Sequence, residues 1–143
     1  MPNSLDESTI YFGESHSSRV PVRDEYNVYH SKELLDKFMQ KASRSSWGQL
    51  LEDWFRTNHM YSRNLFLMPR DAFLRWQSFT SGCMLMIKEC IEQMKSSEIW
   101  SNVYDKRSPG ALCERLSSFF VQKLSGKSLK QAEVISLSIP SDC

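Results

Sequence analysis

The stretch His59–Arg75 reads HMYSRNLFLMPRDAFLR and joins a short apolar run to a helical pattern. The run over Asn64–Met68 stops at Pro69, and proline is favoured in the first turn of a helix. Beyond it, apolar residues recur at steps of three and four as far as about Lys95. The stretch therefore predicts a buried strand that leads directly into the longest helix of the chain.

Helical spacing recurs on both sides of this stretch, and several of the predicted helices have recognisable ends. Ser31 can act as an N-cap, and Ser46–Gln49 has the serine and glutamine of a capping box. Gly126 suits the position that follows a helix. The predicted helices are a short helix or turn over Val22–His30, a helix over Lys32–Ala42, a helix from Trp47 that fades near Asn58, the helix from Pro69 to about Lys95, and a last helix that opens at Pro109-Gly110.

Strand signals are fewer than helix signals. Thr9–Phe12 is a brief apolar tetrad inside the polar, serine-rich segment 1–19, and it predicts one edge strand. Val134–Ile139 reads VISLSI and alternates as a half-buried strand does. The chain therefore predicts an α-rich α/β fold with four or five helices and two or three short strands. Its main domain covers residues 20–139, and residues 140–143 form a tail.

Composition and charge limit the classes of function. The chain has 143 residues, enough for one domain with a real core, and its 41% of hydrophobic residues excludes a disordered chain. Its 18 basic and 17 acidic residues give a formal charge of +1. No strong overall field therefore favours nucleic acid or an anionic membrane, and we expect no nucleic-acid partner.

The cysteines and the apolar segments indicate the compartment. Cys83, Cys90, Cys113 and Cys143 form no CxxC pair, which favours reduced thiols over zinc ligands or disulfides. The N-terminus lacks the layout of a signal peptide, and no segment approaches the ~20 apolar residues of a membrane span. We therefore expect a cytoplasmic protein without a transmembrane segment, which can rest on the inner face of a membrane through a partner.

No catalytic triad order, P-loop, GxGxxG or metal-ligand spacing is present in the sequence. Single residues are therefore the candidates for chemistry, and the first of them is Glu114. It lies in the first turns of the last helix, where a carboxylate is electrostatically favoured. If it faces a cleft, it can act as a general base on a hydroxyl group. The alternative is a structural ion pair with Arg115, Arg107 or Lys106.

His59, Arg19 and Arg23 are the other candidates. His59 precedes the predicted strand among polar and aromatic neighbours, which suits a cleft but equally suits an ordinary histidine at a helix end. Arg19 and Arg23 flank the start of a predicted helix, where arginines can bind phosphate through paired N–H groups. They can equally be solvated surface charges. Composition and spacing alone do not name a function.

Three blocks of sequence in order resemble a bacterial family of capsular and exopolysaccharide glycosyltransferases, long classed as a domain of unknown function. The first family pattern, V-x-x-Q/E-Y-x-x-x-H, is matched by Val22, Glu25, Tyr26 and His30. The second, Y-x-x-N-M-F-I-M followed by F-x-x-Y/W, is matched by Tyr61, Asn64, Leu65, Phe66, Leu67, Met68, Phe73 and Trp76. The third, R-x-x-G-x-L-x-E-R-L, is matched by Arg107, Gly110, Leu112, Glu114, Arg115 and Leu116.

The resemblance covers about Val20–Phe120 of this chain but only the second half of the family's domain. Family members look like GT-A-type transferases, in which a Rossmann-like first half binds the nucleotide sugar. The opening strands and the H-Y-R-R-Y-type motif of that half have no counterpart here. The resemblance thus implies the C-terminal half of a GT-A-like domain, truncated or split, with another protein supplying the first half.

The resemblance also implies roles for individual residues. In a complete enzyme, a glycan hydroxyl would attack the anomeric carbon of a nucleotide sugar, with Glu114 as the candidate base and Arg115 orienting it or meeting phosphate. A divalent Mg or Mn ion can assist in the complete enzyme, and no cofactor is expected within this chain. The residues implied to line the sugar or acceptor site are His59, Tyr61, Asn64, Arg107 and Gly110. The competing hypothesis is a non-catalytic remnant or helical interaction module that docks on a partner subunit.

Overall fold

The computed structural model describes residues 6–13, 15–61, 65–94 and 106–132, which form an α-rich α/β fold. Five helices lie in these ranges: α1 Val22–Tyr29, α2 Lys32–Ala42, α3 Gly48–Phe55, α4 Arg70–Gln93 and α5 Ser108–Phe119. A π-helical turn, Phe120–Leu124, continues α5. The strands are β1 Thr9–Phe12, β2 Ser15–Ser17, β3 His59–Tyr61, β4 Phe66–Leu67 and β5 Ser128–Gln131. The predicted α-rich α/β class is confirmed; a GT-A fold remains a prediction.

The strands form two small sheets. In the larger one, β1 lies in the middle, antiparallel to β4 and parallel to β5. The smaller sheet pairs β2 with β3 in antiparallel register. The strand β1 therefore pairs with two strands that follow it by more than fifty positions along the chain.

The prediction that Asn64–Met68 forms a buried strand is wrong for the part described. The strand β4 has only two residues and forms an edge, while the predicted edge strand Thr9–Phe12 is central. Leu65 and Leu67 are 56% and 54% exposed. Because alternate residues of a strand point to opposite faces, a sheet covered on one side buries only the set that includes Phe66 and Met68.

The helices enclose the main apolar core. The large side chains buried there come from α1, α2, α3 and α5, and they include Tyr26, Leu34, Phe38, Trp54, Phe55 and Phe119. A second, smaller core cluster lies against the larger sheet and contains Ile10, Tyr61, Ala72, Phe120 and Val121. The predicted helix over Lys32–Ala42 is confirmed with its cap, since the Ser31 hydroxyl accepts a hydrogen bond from the Leu34 N–H.

The predicted capping box at Ser46–Gln49 is wrong. The helix α3 begins at Gly48 behind Trp47, and no side chain caps its first turn. Gln49 instead donates a hydrogen bond to Asp53 one turn later. The turn is fixed by close backbone approach, because a Cβ on Gly48 would overlap the carbonyl oxygen of Ala42.

The long helix is confirmed as α4, but several of its side chains do not lie where the spacing predicts. Cys83, Ile87 and Cys90 are buried as expected. Phe73 and Met84, in contrast, are exposed. A Cβ added to Gly82 would meet nothing within 4 Å, so no other described segment approaches the helix closely at this glycine.

Three further observations concern the tyrosines of α1 and the end of the described chain. Tyr26 is buried while Tyr29 is exposed, so only the first of these two tyrosines faces the core. Gly126 has φ 65°, which confirms its place after the last helix. The predicted strand Val134–Ile139 lies outside the described residues, whereas the strand β5 just before it was not predicted.

Candidate functional site

A cleft of about 590 Å³ opens between α1 and the start of α5, and we call it the α1–α5 cleft. Met60 of β3 contributes apolar surface to it. The polar groups on its walls come from three elements and from the residues that lead into α5. They are His16, Glu25, His30, Lys106, Arg107, Glu114 and Arg115.

Buried polar contacts hold the two walls of the cleft together. The Tyr26 hydroxyl of α1 donates a hydrogen bond to the carbonyl oxygen of Ser108, the first residue of α5, at 3.2 Å. The Ser108 hydroxyl accepts one from the backbone N–H of Ser31 at 2.8 Å. Tyr26 and Ser108 are both fully buried. The start of α5 is therefore fixed against the loop between α1 and α2.

Arg115 forms the inner wall of the cleft and is only 6% exposed. Its Nη1 donates to the Ala111 carbonyl oxygen at 3.1 Å, and its guanidinium lies 5.2 Å from the centre of the Tyr26 ring. Its Nη2 is 3.6 Å from Oε1 of Glu25, while its Nε is buried without a hydrogen-bond partner. Burial lowers the pKa of Arg115, against the opposing influence of the Glu25 and Glu114 charges. The arginine remains a cation because its normal pKa is above 12.

Glu25 connects this arginine to the small sheet. Its Oε2 lies 3.1 Å from Nε2 of His16, on β2. Burial by itself would raise the pKa of Glu25, but hydrogen bonds from His16 and Ser18 and the charges of His16 and Arg115 outweigh it and lower the pKa. The carboxylate is therefore ionised near neutral pH and joins three elements at one side of the cleft.

Four of the predicted site residues line this cleft, namely Glu114, Arg115, Arg107 and Gly110. The negative charge of Glu114 acts on Arg115 and favours its charged form. The carboxylate that lies within ion-pair distance of Arg115, however, is Glu25. The two acidic residues thus lie on opposite walls of the cleft, on α5 and α1.

His59, Tyr61 and Asn64 were also predicted as site residues, and their surroundings differ from those of the four residues that line the cleft. Tyr61 is buried in the smaller core cluster, stacked on Phe12 at 4.1 Å, and burial raises its pKa. The prediction that Tyr61 faces the cleft is therefore wrong. His59 lies on β3, with its Nδ1 2.9 Å from the Ser17 hydroxyl. Asn64 lies outside the described residues.

The two phosphate-binding candidates lie apart from the cleft lining. Arg23 contacts Oδ1 of Asp36 at 2.9 Å and Oε1 of Glu52 at 3.2 Å, and so connects α1 to α2 and α3. Two carboxylates already match its charge, which makes it a poor phosphate ligand. Arg19 is exposed in the turn before α1.

His16, Glu25, His30 and Met60 were not predicted as site residues. Glu25 and His30 belong to the first sequence block. The block therefore contained two residues of the cleft, but spacing alone did not identify them as site residues. His16 lies in a segment that was predicted to be a loop, and nothing in its local sequence indicates that β2 pairs with β3. Its position depends on a contact between distant parts of the chain.

Comparisons of this chain with protein-family models, with curated proteins and with solved structures find no match. Within residues 6–13, 15–61, 65–94 and 106–132, no three His, Cys, Asp or Glu side chains come together as metal ligands. In the same ranges no helix is long and apolar enough to cross a membrane. The described cysteines, Cys83, Cys90 and Cys113, are free thiols.

Proposed function

We propose that this protein is glycosyltransferase-like, corresponding to the C-terminal half of an enzyme of capsular, exopolysaccharide or lipopolysaccharide biosynthesis. The observation that carries the proposal is that residues of the first and third sequence blocks meet at one cleft. Glu25 of the first block contacts Arg115 of the third at 3.6 Å. The second block begins next to this cleft, because Met60, the residue before it, lines the cleft. The N–H of Tyr61, the first residue of that block, donates to the Ser118 hydroxyl of α5 at 2.8 Å.

The charges of the cleft suit a sugar phosphate. Lys106 and Arg107 are exposed at its mouth, where they can meet the diphosphate of a nucleotide sugar. Glu114 lies about two turns further along the chain, on α5, and can accept the proton of the attacking acceptor hydroxyl. Arg115 is held rigidly beneath and keeps a positive charge beside that carboxylate. A divalent metal, if used, would be held by the donor-binding half.

A second candidate function is a non-catalytic module that docks on a partner subunit. The observation that favours it is the small size of the larger sheet. Its outer strands β4 and β5 have no further neighbour among the described residues. A protein that supplies the first half of the domain could add strands at either edge.

Binding of nucleotide sugars is the direct test of the catalytic proposal. Saturation-transfer NMR with a panel of UDP-, GDP- and dTDP-sugars should detect binding to the purified chain. Arg107→Ala should weaken that binding by roughly tenfold, as expected for one lost charge-assisted contact. Arg44→Ala, at an exposed arginine outside the cleft, should leave it unchanged. Absence of binding across the panel would show that this polypeptide has no catalytic function of its own.

The role of Glu114 needs a complete active site. In a chimera of the full chain, residues 1–143, with the donor-binding half of a complete family member, Glu114→Gln should lower kcat by roughly 100-fold or more, with little change in KM. Glu92→Gln, at an exposed glutamate near the end of α4, should have no effect. Near-normal transfer by the Glu114→Gln chimera would remove Glu114 from the mechanism.

A further inference from the structure

One face of α4 is exposed along its whole length. Its central row of side chains is spaced alternately by three and four residues, which is the spacing of a coiled-coil seam. All six members are exposed. The row, which we call the α4 seam, consists of Asp71, Leu74, Ser78, Ser81, Leu85 and Lys88.

The middle of the α4 seam is exposed but carries no charge, unlike an ordinary solvated helix face. No charged residue occurs between Arg75 and Lys88, although this part of the helix is exposed on one side. Leu74 and Leu85 are 50% and 64% exposed, and Met84 beside them is 58% exposed. A surface helix normally presents charged side chains to water, so this face has the composition of a contact surface.

The centre of the seam permits close approach of another helix. Ser78 and Ser81 are small, and Gly82 beside them has no side chain at all. A Cβ built on Gly82 would meet nothing within 4 Å, so the space above this part of the helix is open. Small residues at a crossing point allow two helices to pack at the short end of the usual ~8–10 Å separation.

The order of residues along the seam is self-complementary, and we propose that it binds the α4 seam of a second copy in antiparallel orientation. With a two-fold axis between positions 79 and 80, Leu74 lies opposite Leu85 of the second copy, and Ser78 lies opposite Ser81. At the ends of the same register, Asp71 meets Lys88 of the second copy. Such an arrangement is the isologous contact that most homodimers use.

The charges at the ends of the seam also favour the antiparallel orientation. Asp71 already contacts Lys127 of its own chain at 2.8 Å, but a carboxylate can accept several hydrogen bonds. A parallel pair would instead place Asp71 against Asp71 and Lys88 against Lys88, where like charges repel.

The length of the helix sets the expected affinity. With 24 residues, α4 is about 36 Å long, and one helix pair lies at the lower end of the range of specific interfaces. We therefore expect a reversible dimer with a Kd on the order of 1–100 µM. The inference does not depend on the proposed function, because the seam and the α1–α5 cleft share no residue.

Analytical ultracentrifugation of the full chain from about 1 to about 500 µM tests the dimer. The wild type should pass from monomer to dimer over this range. Leu85→Lys should raise the Kd by roughly 100-fold, since the change occurs twice in each dimer. Val28→Lys, at an exposed position of α1, is the matched control and should leave the Kd unchanged. A wild type that stays monomeric throughout, or a dimer that tolerates Leu85→Lys, would overturn the proposal.

Disulfide cross-linking tests the orientation. The variants Ser78→Cys and Ser81→Cys are prepared in a chain in which Cys113 and Cys143 are replaced by serine, leaving the two buried native thiols. Under mild oxidation, an equimolar mixture of the two variants should cross-link at least about tenfold faster than either variant alone. Faster cross-linking of Ser81→Cys with itself would indicate a parallel pair and would contradict the proposed register. Nucleotide-sugar binding is a separate measurement, so failure of either proposal leaves the other to be judged by its own result.

Discussion

Glu25→Gln should lower the free energy of unfolding by more than the loss of an exposed ion pair would. The Arg115 side chain is only 7% exposed, so it loses its nearest opposite charge in a place that water hardly reaches. Removing one partner of a fully buried ion pair costs about 3–5 kcal/mol. The Glu25 side chain is 21% exposed and the contact measures 3.6 Å, so we expect about 2 kcal/mol.

A double-mutant cycle with Arg115→Met separates this charge effect from the loss of other contacts of Glu25. Methionine fills similar space and removes both the guanidinium charge and its unpartnered Nε. In that background Glu25→Gln should cost only about 0.5 kcal/mol of unfolding free energy. This smaller loss would come from the contact between Glu25 and His16. Four proteins (wild type, the two single variants and the double variant) are therefore needed.

The assay is urea unfolding followed by circular dichroism near neutral pH. With a typical urea m-value, a loss of 2 kcal/mol moves the midpoint by about 1 M. Glu89→Gln is the matched control, because its partner Lys41 lies 3.0 Å away and Glu89 is 59% exposed, so a change within about 0.5 kcal/mol is expected. If Glu25→Gln costs the same with and without Arg115, the ion pair contributes nothing and the reasoning is refuted.

Three further predictions concern pH, thiol reactivity and glycine. The folded state lowers the pKa of Glu25, so the ionised carboxylate stabilises the protein at pH values above its usual pKa of 4.5. This stabilisation is lost as the pH falls through the lower pKa of the folded state. The urea midpoints of wild type and Glu25→Gln should therefore converge in acid. Burial, and then the nearby Cys113, raise the pKa of Cys83 to about 12, so mass spectrometry after iodoacetamide treatment at mild alkaline pH should find it unmodified in the folded chain and alkylated in urea. Gly48→Ala should cost more than about 2 kcal/mol in thermal unfolding, because its Cβ would overlap backbone atoms. Gly82→Ala should instead stabilise the protein by roughly 1 kcal/mol. A greater loss of stability in Gly82→Ala than in Gly48→Ala would contradict the packing.

The helices could be predicted from the sequence because the signals that form them are local. Ser31 caps α2 through the N–H of Leu34, only three residues away, and the apolar stripe of α2 repeats within eleven residues. Capping and periodicity were enough there. At Ser46–Gln49 the same local rule failed, since the start of α3 depends on contact between Gly48 and Ala42 of the preceding helix.

The sheet could not be predicted in the same way, because strand order is a property of distant segments. Thr9–Phe12 and Phe66–Leu67 are both short and apolar, and nothing in either segment says which will be central. The parallel pairing of Ile10 with Leu129 brings the two ends of the described chain together and makes β1 the middle strand. A polar segment such as Ser128–Gln131 carries almost no strand signal, although it supplies that pairing.

The candidate site could be predicted only in part, and Arg115 shows why. Its spacing from Leu112, Leu116 and Phe119 places it on the inner face of α5, so the helical period alone implies a buried cation. A buried cation needs a carboxylate, so the sequence implied that a partner exists. It could not distinguish Glu25 from its neighbours, because that choice depends on the docking of α1 through Tyr26 and Ser108. The pairing of Glu25 with Arg115 is therefore set by tertiary packing, and a variant that frees Ser108 from Tyr26, such as Tyr26→Phe, should loosen the cleft without removing either charge.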